Sequence, residues 1–194
     1  MGIEYYYQKY SSAIGDIFIV GDDLRIAMIS FRDITTMKLD NTESMYYHNK
    51  MTRGIKNVME LLNRYFNKRE LCSEIKIVLG GGTENINSNT FNSDSERIIL
   101  LDVCGYTPME IAVYRELLET GMGATISYLR LAEKAGIPRG ARFVGNAMAK
   151  NRFPIIIPCH RVIKSDSSLG NYSGGVAMKK YLLSLPQFVF SKLE

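Results

Sequence analysis

Cysteine and histidine are scarce in this chain of 194 residues, which holds 3 of the first and 2 of the second. Cys72, Cys104 and Cys159 form an odd set without repeated spacing, which argues against a disulfide framework and for a reducing compartment. With His48 and His160 the only imidazoles beside the three scattered cysteines, a zinc site of four ligands is improbable, and no metal is expected. Proline is also sparse, at 5 residues, and a disordered tail or fibrous protein is excluded. No apolar run reaches the roughly 20 residues of a membrane span. The start, Met1-Gly2-Ile3-Glu4-Tyr5, lacks a basic run ahead of an apolar core, so neither secretion nor membrane contact is expected.

What is present is an ordinary globular mixture, 46% hydrophobic and 23% charged, long enough for one generous domain or two small ones. The formal charge of +4 conceals an asymmetry. Residues 1–104 carry 12 basic and 14 acidic side chains, net −2, whereas residues 105–194 carry 12 and 6, net +6. A basic second half suggests an anionic partner, with nucleic acid the leading candidate.

Residues 14–20 and 24–31 are apolar, β-branched runs around Gly21-Asp22-Asp23, which predicts an antiparallel hairpin. Between Arg53 and Asn67, apolar Ile55, Val58, Met59, Leu62, Tyr65 and Phe66 recur at helical steps, so an amphipathic helix is expected there. Residues 74–79 read as a third strand. Gly80-Gly81-Gly82 and the Asn, Ser and Thr that follow lack periodicity, and residues 80–100 read as a linker or long loop between units at 1–79 and 101–194.

After that stretch, Thr107-Pro108-Met109-Glu110 has a capping hydroxyl, proline at the first helical position and a glutamate at the third, so a helix to about Glu119 is expected. Ser127 to Ala135 and Arg139 or Gly140 to Lys150 read as two further helices broken by Gly136-Ile137-Pro138, the outline of a helix-turn-helix. Any helical hairpin shares that outline. The span from Arg139 to Lys164, however, holds Arg139, Arg142, Lys150, Arg152, Arg161 and Lys164 and no acid, which favours phosphate contact over a merely solvated basic face.

Ile155-Ile156-Ile157 is a short strand-like run ended by Pro158 and followed by Cys159, His160 and Arg161. A thiol beside an imidazole and a guanidinium is placed for a lowered pKa and nucleophilic chemistry. A buried cysteine used only for packing is the alternative, and it is the reading adopted for Cys72 and Cys104, which have no such neighbours.

Residues 123–185 resemble the C-terminal domain of the O6-alkylguanine-DNA alkyltransferases. Gly123-Ala124-Thr125-Ile126-Ser127-Tyr128, with Leu131-Ala132, resembles that family's entry to the helix-turn-helix, and Ala141-Arg142-Phe143-Val144-Gly145-Asn146-Ala147-Met148 its recognition helix. Asn151-Arg152-Phe153-Pro154-Ile155-Ile156-Ile157-Pro158-Cys159-His160-Arg161-Val162-Ile163 resembles its active-site segment, and Gly170-Asn171-Tyr172-Ser173-Gly174-Gly175 the loop that closes over the base. Residues 1–79 resemble it in pattern only, as a ribonuclease-H-like sheet and helix.

The resemblance implies an α+β protein with an N-terminal ribonuclease-H-like domain and a C-terminal helical domain. Its implied activity is single-turnover DNA repair: an alkyl group passes from O6-alkylguanine, with O4-alkylthymine an alternative substrate, to Cys159 without a cofactor. His160 would assist deprotonation through a water, Asn151 would hold the turn of Cys159, and Tyr128 would donate on the N3 side of guanine. Tyr172 would wall the pocket, Ser173 would meet O6, and the carbonyls of Cys159 and Val162 would accept from the exocyclic amine. Arg142 would take the place of the flipped base in duplex DNA, with Ser127, Ala141, Gly145, Lys150 and Arg152 also on the DNA. A monomer in the cytoplasm, with the nucleoid if prokaryotic, is implied. The family's glutamate behind the histidine falls here on Pro186, which leaves that relay incomplete unless a group such as Glu194 replaces it. The main competing reading is a non-catalytic alkyltransferase-like lesion-binding protein, which typically lacks the cysteine. A transcription regulator would not need Pro158-Cys159-His160-Arg161, and a papain-like hydrolase would have only His48 as its distant histidine.

Overall fold

The computed structural model describes residues 4–34, 47–68, 75–80, 97–120 and 123–185. Cys72, Pro186 and Glu194 lie outside them. The first half is a six-stranded sheet in the order β4-β1-β2-β3-β6-β5, from β1 (Tyr5–Ser12), β2 (Gly15–Gly21), β3 (Arg25–Ser30), β4 (Tyr47–Asn49), β5 (Ile75–Gly80) and β6 (Arg97–Asp102). β1, β2 and β3 run antiparallel in succession, whereas β6 is parallel to both β3 and β5, and β4 is parallel to β1.

The expected hairpin is β2–β3, with Ile19 opposite Ile29 and a register shift at Val20/Gly21. Its turn has a local chemical cause. Asp22 Oδ1 accepts from the amides of Leu24 and Arg25 at 2.8 and 2.6 Å, and a Cβ on Gly21 would collide with the Arg25 carbonyl. Alternation then sends Ile17 and Ile19 to one face, packed under a helix, and Phe18 and Val20 to the other, with Ile34.

That helix, α1 (Arg53–Asn63), is capped by Thr52 and buries Ile55, Val58, Leu61 and Leu62. Full burial of such a side chain contributes about 2 kcal/mol. The chain continues as a π turn, Arg64–Lys68, where Tyr65 and Phe66 meet edge to face at 4.9 Å.

Three strands of this sheet were not legible in the sequence. β1 is rich in tyrosine and serine, β4 is only three residues long, and β6 occupies the end of the expected linker and the first residues of the expected second unit. Residues 97–102 are a sheet strand because Ile99 and Leu101 are buried beneath α1 while both ladder edges are paired.

The second half is helical. α2 (Pro108–Leu118) carries the expected capping box, with the Glu110 amide donating to Thr107 Oγ1 and Glu110 Oε2 accepting from the Thr107 amide at 2.8 Å. β7 (Ile126–Ser127) leads into α3 (Tyr128–Lys134), then α4 (Ala141–Lys150), joined by a tight turn in which Gly136 has φ 73°. A Cβ on Gly140 would strike Ile137, so a glycine is required where α4 begins. β8 (Val162–Ile163) pairs with β7, and α5 (Val176–Ser184), which the sequence reading did not anticipate, closes the domain. The two halves share one apolar core running from Ile19 and Tyr65 to Phe153 and Leu182. Among the described residues no helix is long and apolar enough to cross a membrane.

Candidate active site

Residues 151–163 cross from the end of α4 back to β7, and their path is set by Asn151. Its Nδ2 donates to the Ile157 carbonyl at 2.9 Å, and its Oδ1 accepts from the Phe153 amide at 2.9 Å. The enclosed segment is a turn, with an isolated bridge between Pro154 and Ile157, and not the strand that three isoleucines suggested. Ile155 is the physical reason. It adopts φ 75°, a left-handed conformation costing a β-branched residue about 1–3 kcal/mol. Burial of Phe153, Ile155, Ile156 and Ile157 holds it there.

Cys159 opens a 3₁₀ turn, Cys159–Arg161, its amide bonded to the Ile157 carbonyl at 2.8 Å. Cys159 is 5% exposed, His160 1% and Arg161 3%, so all three sit inside the protein. Pairing of Ile126 with Val162 and Ser127 with Ile163 brings the start of α3, and with it Tyr128, alongside this turn.

The electrostatics differ from the sequence expectation. Burial pushes the Cys159 thiol up from its ordinary pKa, opposed by the nearby Asn151 and Tyr172 side chains, the charge of Lys179 and its own backbone amide. Arg161 is committed to backbone on another part of the fold. Its guanidinium donates to the Thr120 carbonyl at 3.2 Å, and burial lowers its pKa, with Tyr65 acting the other way. The cation acting on the thiol is Lys179 of α5, fully buried, whose Nζ donates to the carbonyls of Val162 at 2.6 Å and Leu169 at 2.5 Å. Burial lowers the Lys179 pKa as well, partly countered by Cys159. Tyr128 and Tyr172 are both raised, by burial first and then by Cys159, which keeps their hydroxyls protonated as donors.

Asn151, Tyr128 and Tyr172 therefore lie near the Cys159 thiol, Val162 follows its turn and holds Lys179, and Ser173 is exposed in the loop before α5. Gly170 has φ 68° and sits against the Tyr128 hydroxyl. Lys179 was missed by sequence reasoning; the available signal was its place three residues before Leu182, on the same face of one helix.

The expected DNA contacts divide. Arg142 is exposed on α4, and a Cβ on Gly145 would meet open space, so that face is free to receive a partner. Ala141 lies half-buried beside them, and Ser127 caps α3 through the Arg130 amide at 3.2 Å. Lys150 pairs with Glu110 at 2.7 Å. Arg152 turns inward, its guanidinium bonded to the carbonyls of Asp102 and Cys104 at 2.8 Å each. Cys104 is exposed. No group of three His, Cys, Asp or Glu side chains able to hold a metal occurs among the described residues.

Comparison with known proteins follows the same division of the chain. Residues 5–79 match the 6-O-methylguanine DNA methyltransferase, ribonuclease-like domain, and residues 108–187 match the 6-O-methylguanine DNA methyltransferase, DNA binding domain. The human methylated-DNA–protein-cysteine methyltransferase is 56% identical over 62 residues, 32% of this chain and 30% of that one. The Mycobacterium leprae protein of the same name is 44% identical over 91 residues, 47% of this chain and 54% of that one. The chain thus spans under a third of the length of the human relative and about half that of the bacterial one. The crystal structure of Mycobacterium tuberculosis OGT in complex with DNA superposes with a TM-score of 0.64 at 28% identity, covering 92% of this chain and 90% of that one. With both of its domains matched in order and the two-domain fold shared with a solved relative, the chain belongs to the 6-O-methylguanine DNA methyltransferase family.

Proposed function

We propose that this protein repairs DNA by moving an alkyl group from O6 of a damaged guanine onto Cys159, once per molecule and without a cofactor. The observation that carries this reading is the buried thiol of Cys159 among Asn151, Tyr172, Lys179 and Tyr128. The thiol passes its proton through a water to His160. Its sulfur then bonds the alkyl carbon in line as the carbon–O6 bond breaks, and that electron pair passes into the purine. The ring gains a proton, balancing the one lost by the thiol, and leaves as neutral guanine. Tyr128 assists on the N3 side, where a hydroxyl kept protonated is a hydrogen-bond donor. Ser173 meets O6, Tyr172 walls the pocket, and the carbonyls of Cys159 and Val162 receive the exocyclic amine.

The substrate is a base inside duplex DNA, reached by rotating it from the stack at a cost of a few kcal/mol. Exposed Arg142 fills the vacated space, with Ala141 and Gly145 permitting close approach and Ser127 and Lys150 near the backbone. A nucleophilic thiol that must stay reduced fits a monomer working in the cytoplasm, beside the DNA.

The test is intact-protein mass after incubation with duplex DNA containing O6-methylguanine. One added methyl per chain, located on Cys159 by peptide analysis, is the expected result. Tight lesion binding with no mass change would instead identify a lesion reader without chemistry.

A further inference from the structure

Asn151 is gripped from both sides by one phenol. The Tyr106 hydroxyl donates to the Lys150 carbonyl at 2.9 Å and accepts from the Arg152 amide at 2.8 Å, thereby spanning the two peptide groups that flank Asn151. Arg152 completes the grip. Its Nε reaches the same hydroxyl at 3.3 Å, its guanidinium lies 4.8 Å from the centre of the Tyr106 ring, and its Nη2 holds the Asp102 and Cys104 carbonyls. The Arg152 carbonyl in turn accepts from the Ile29 amide of β3 at 2.7 Å. The Tyr106 ring stands edge-on against Tyr114 at 5.0 Å, and the Tyr114 hydroxyl donates to the Ala147 carbonyl of α4 at 2.7 Å.

An asparagine amide has two N–H donors. One of those of Asn151 is committed to Ile157, which orients the side chain beside the thiol. That orientation depends on the peptide planes before and after Asn151, and Tyr106 fixes both. The ionisable groups facing the thiol from other elements are Tyr114 on α2, Tyr128 on α3, Tyr172 before α5 and Lys179 on α5, with His160 adjacent in sequence; Arg152 bonds to none of them.

We propose that Tyr106 and Arg152 are positioning residues for the Cys159 nucleophile, a clamp through which β3 and β6 of the N-terminal sheet hold Asn151 in its working geometry. The proposal rests on the alkyl-transfer reading given above and adds a role to it. Arg152 accordingly serves the site from behind and not as a phosphate contact.

Tyr106→Phe keeps the ring and removes only the clamping oxygen, and Arg152→Met keeps much of the stem without the charge. For each, the rate of Cys159 alkylation by free O6-benzylguanine is measured against pH, together with affinity for undamaged duplex and a thermal melt. The expected result is a rate roughly fivefold to tenfold lower, of the size set by one lost hydrogen bond. The pH–rate profile should move to higher pH and duplex affinity should hold. In an Asn151→Ser background, Tyr106→Phe should have no further effect, since both act on one group. Unchanged rates and profiles overturn the proposal, as does a full additional loss in that background. A loss of duplex affinity by Arg152→Met at an unchanged free-base rate would return Arg152 to the DNA surface. If Asn151→Ser does not fold, the pH dependence of Cys159 capture by iodoacetamide in Tyr106→Phe decides the matter. That reagent needs no guanine, so a wild type inert to O6-benzylguanine would overturn the alkyl-transfer reading while the clamp was still tested.

Discussion

Lys179 Nζ donates to the Val162 carbonyl at 2.6 Å, which sets a fully buried ammonium behind the turn that carries Cys159. The same nitrogen holds the Leu169 carbonyl, so one side chain ties together the residue after the turn, the loop before Tyr172 and helix α5. A buried cation is costly unless it is well solvated by protein dipoles, and here two carbonyls serve that purpose. Its field favours the Cys159 thiolate over the thiol. The resemblance implies that the family's glutamate falls on Pro186; Lys179 supplies a positive field at the thiol from a different element.

Replacing Lys179 with methionine keeps the length of the stem and removes the charge. The thiol pKa then rises further, and transfer near neutral pH should slow by about tenfold, the low end expected for loss of a nearby opposite charge. Single-turnover rates from pH 6 to 9 check this: the variant's profile should lie at higher pH than that of the wild type. Coincident profiles would show that Lys179 acts only as packing.

Because burial raises the Cys159 pKa, transfer should accelerate as pH rises from neutral to mildly alkaline values. Stability should move the other way. The unfolded chain loses the thiol proton near the free value of about 8.5, and the folded protein loses it later. This contribution is therefore fully present below pH of about 8.5 and is lost as pH rises through the folded value. Melting temperatures of wild type and Cys159→Ala, compared at neutral and alkaline pH, should diverge only on the alkaline side.

On the proposed function, in which the thiol supplies chemistry and the basic face of α4 supplies affinity, Cys159→Ala should abolish transfer yet bind duplex DNA nearly as well as the wild type. Cys104→Ser, altering an exposed side chain, and Cys72→Ser should both remain active. Intact mass after reaction with O6-methylguanine duplex reads all three, and a methyl group retained by Cys159→Ala would identify another acceptor.

Arg142→Ala should impair repair of duplex DNA far more than reaction with free O6-benzylguanine, since only the duplex requires a substitute for the flipped base. Affinity for undamaged duplex should fall by roughly 0.9 log units per decade of salt for each phosphate neutralised. Equal loss on both substrates would place Arg142 in the reaction or in folding.

Features whose causes lie within a few residues can be read directly from the chain. The Thr107–Glu110 capping box, the Asp22 turn between β2 and β3, and the two helices around Gly136 each arise from side chains bonding to nearby backbone, and each was legible. The string from Asn151 to Ile163 likewise marked the turn on which Cys159 stands. Long-range packing turned Arg161 to Thr120, drew residues 97–102 into the sheet and set Arg152 against Asp102. Lys179 and Lys180 show why. They are adjacent and chemically identical, but one is fully buried near Cys159 and the other is exposed. Which of two neighbouring lysines turns inward depends on how α5 packs against the turn of Cys159, twenty residues earlier in the chain. Local propensity holds no record of that packing; the burial of Leu182 and its neighbours in the shared core sets the rotation of the helix, and with it the charge that the thiol meets.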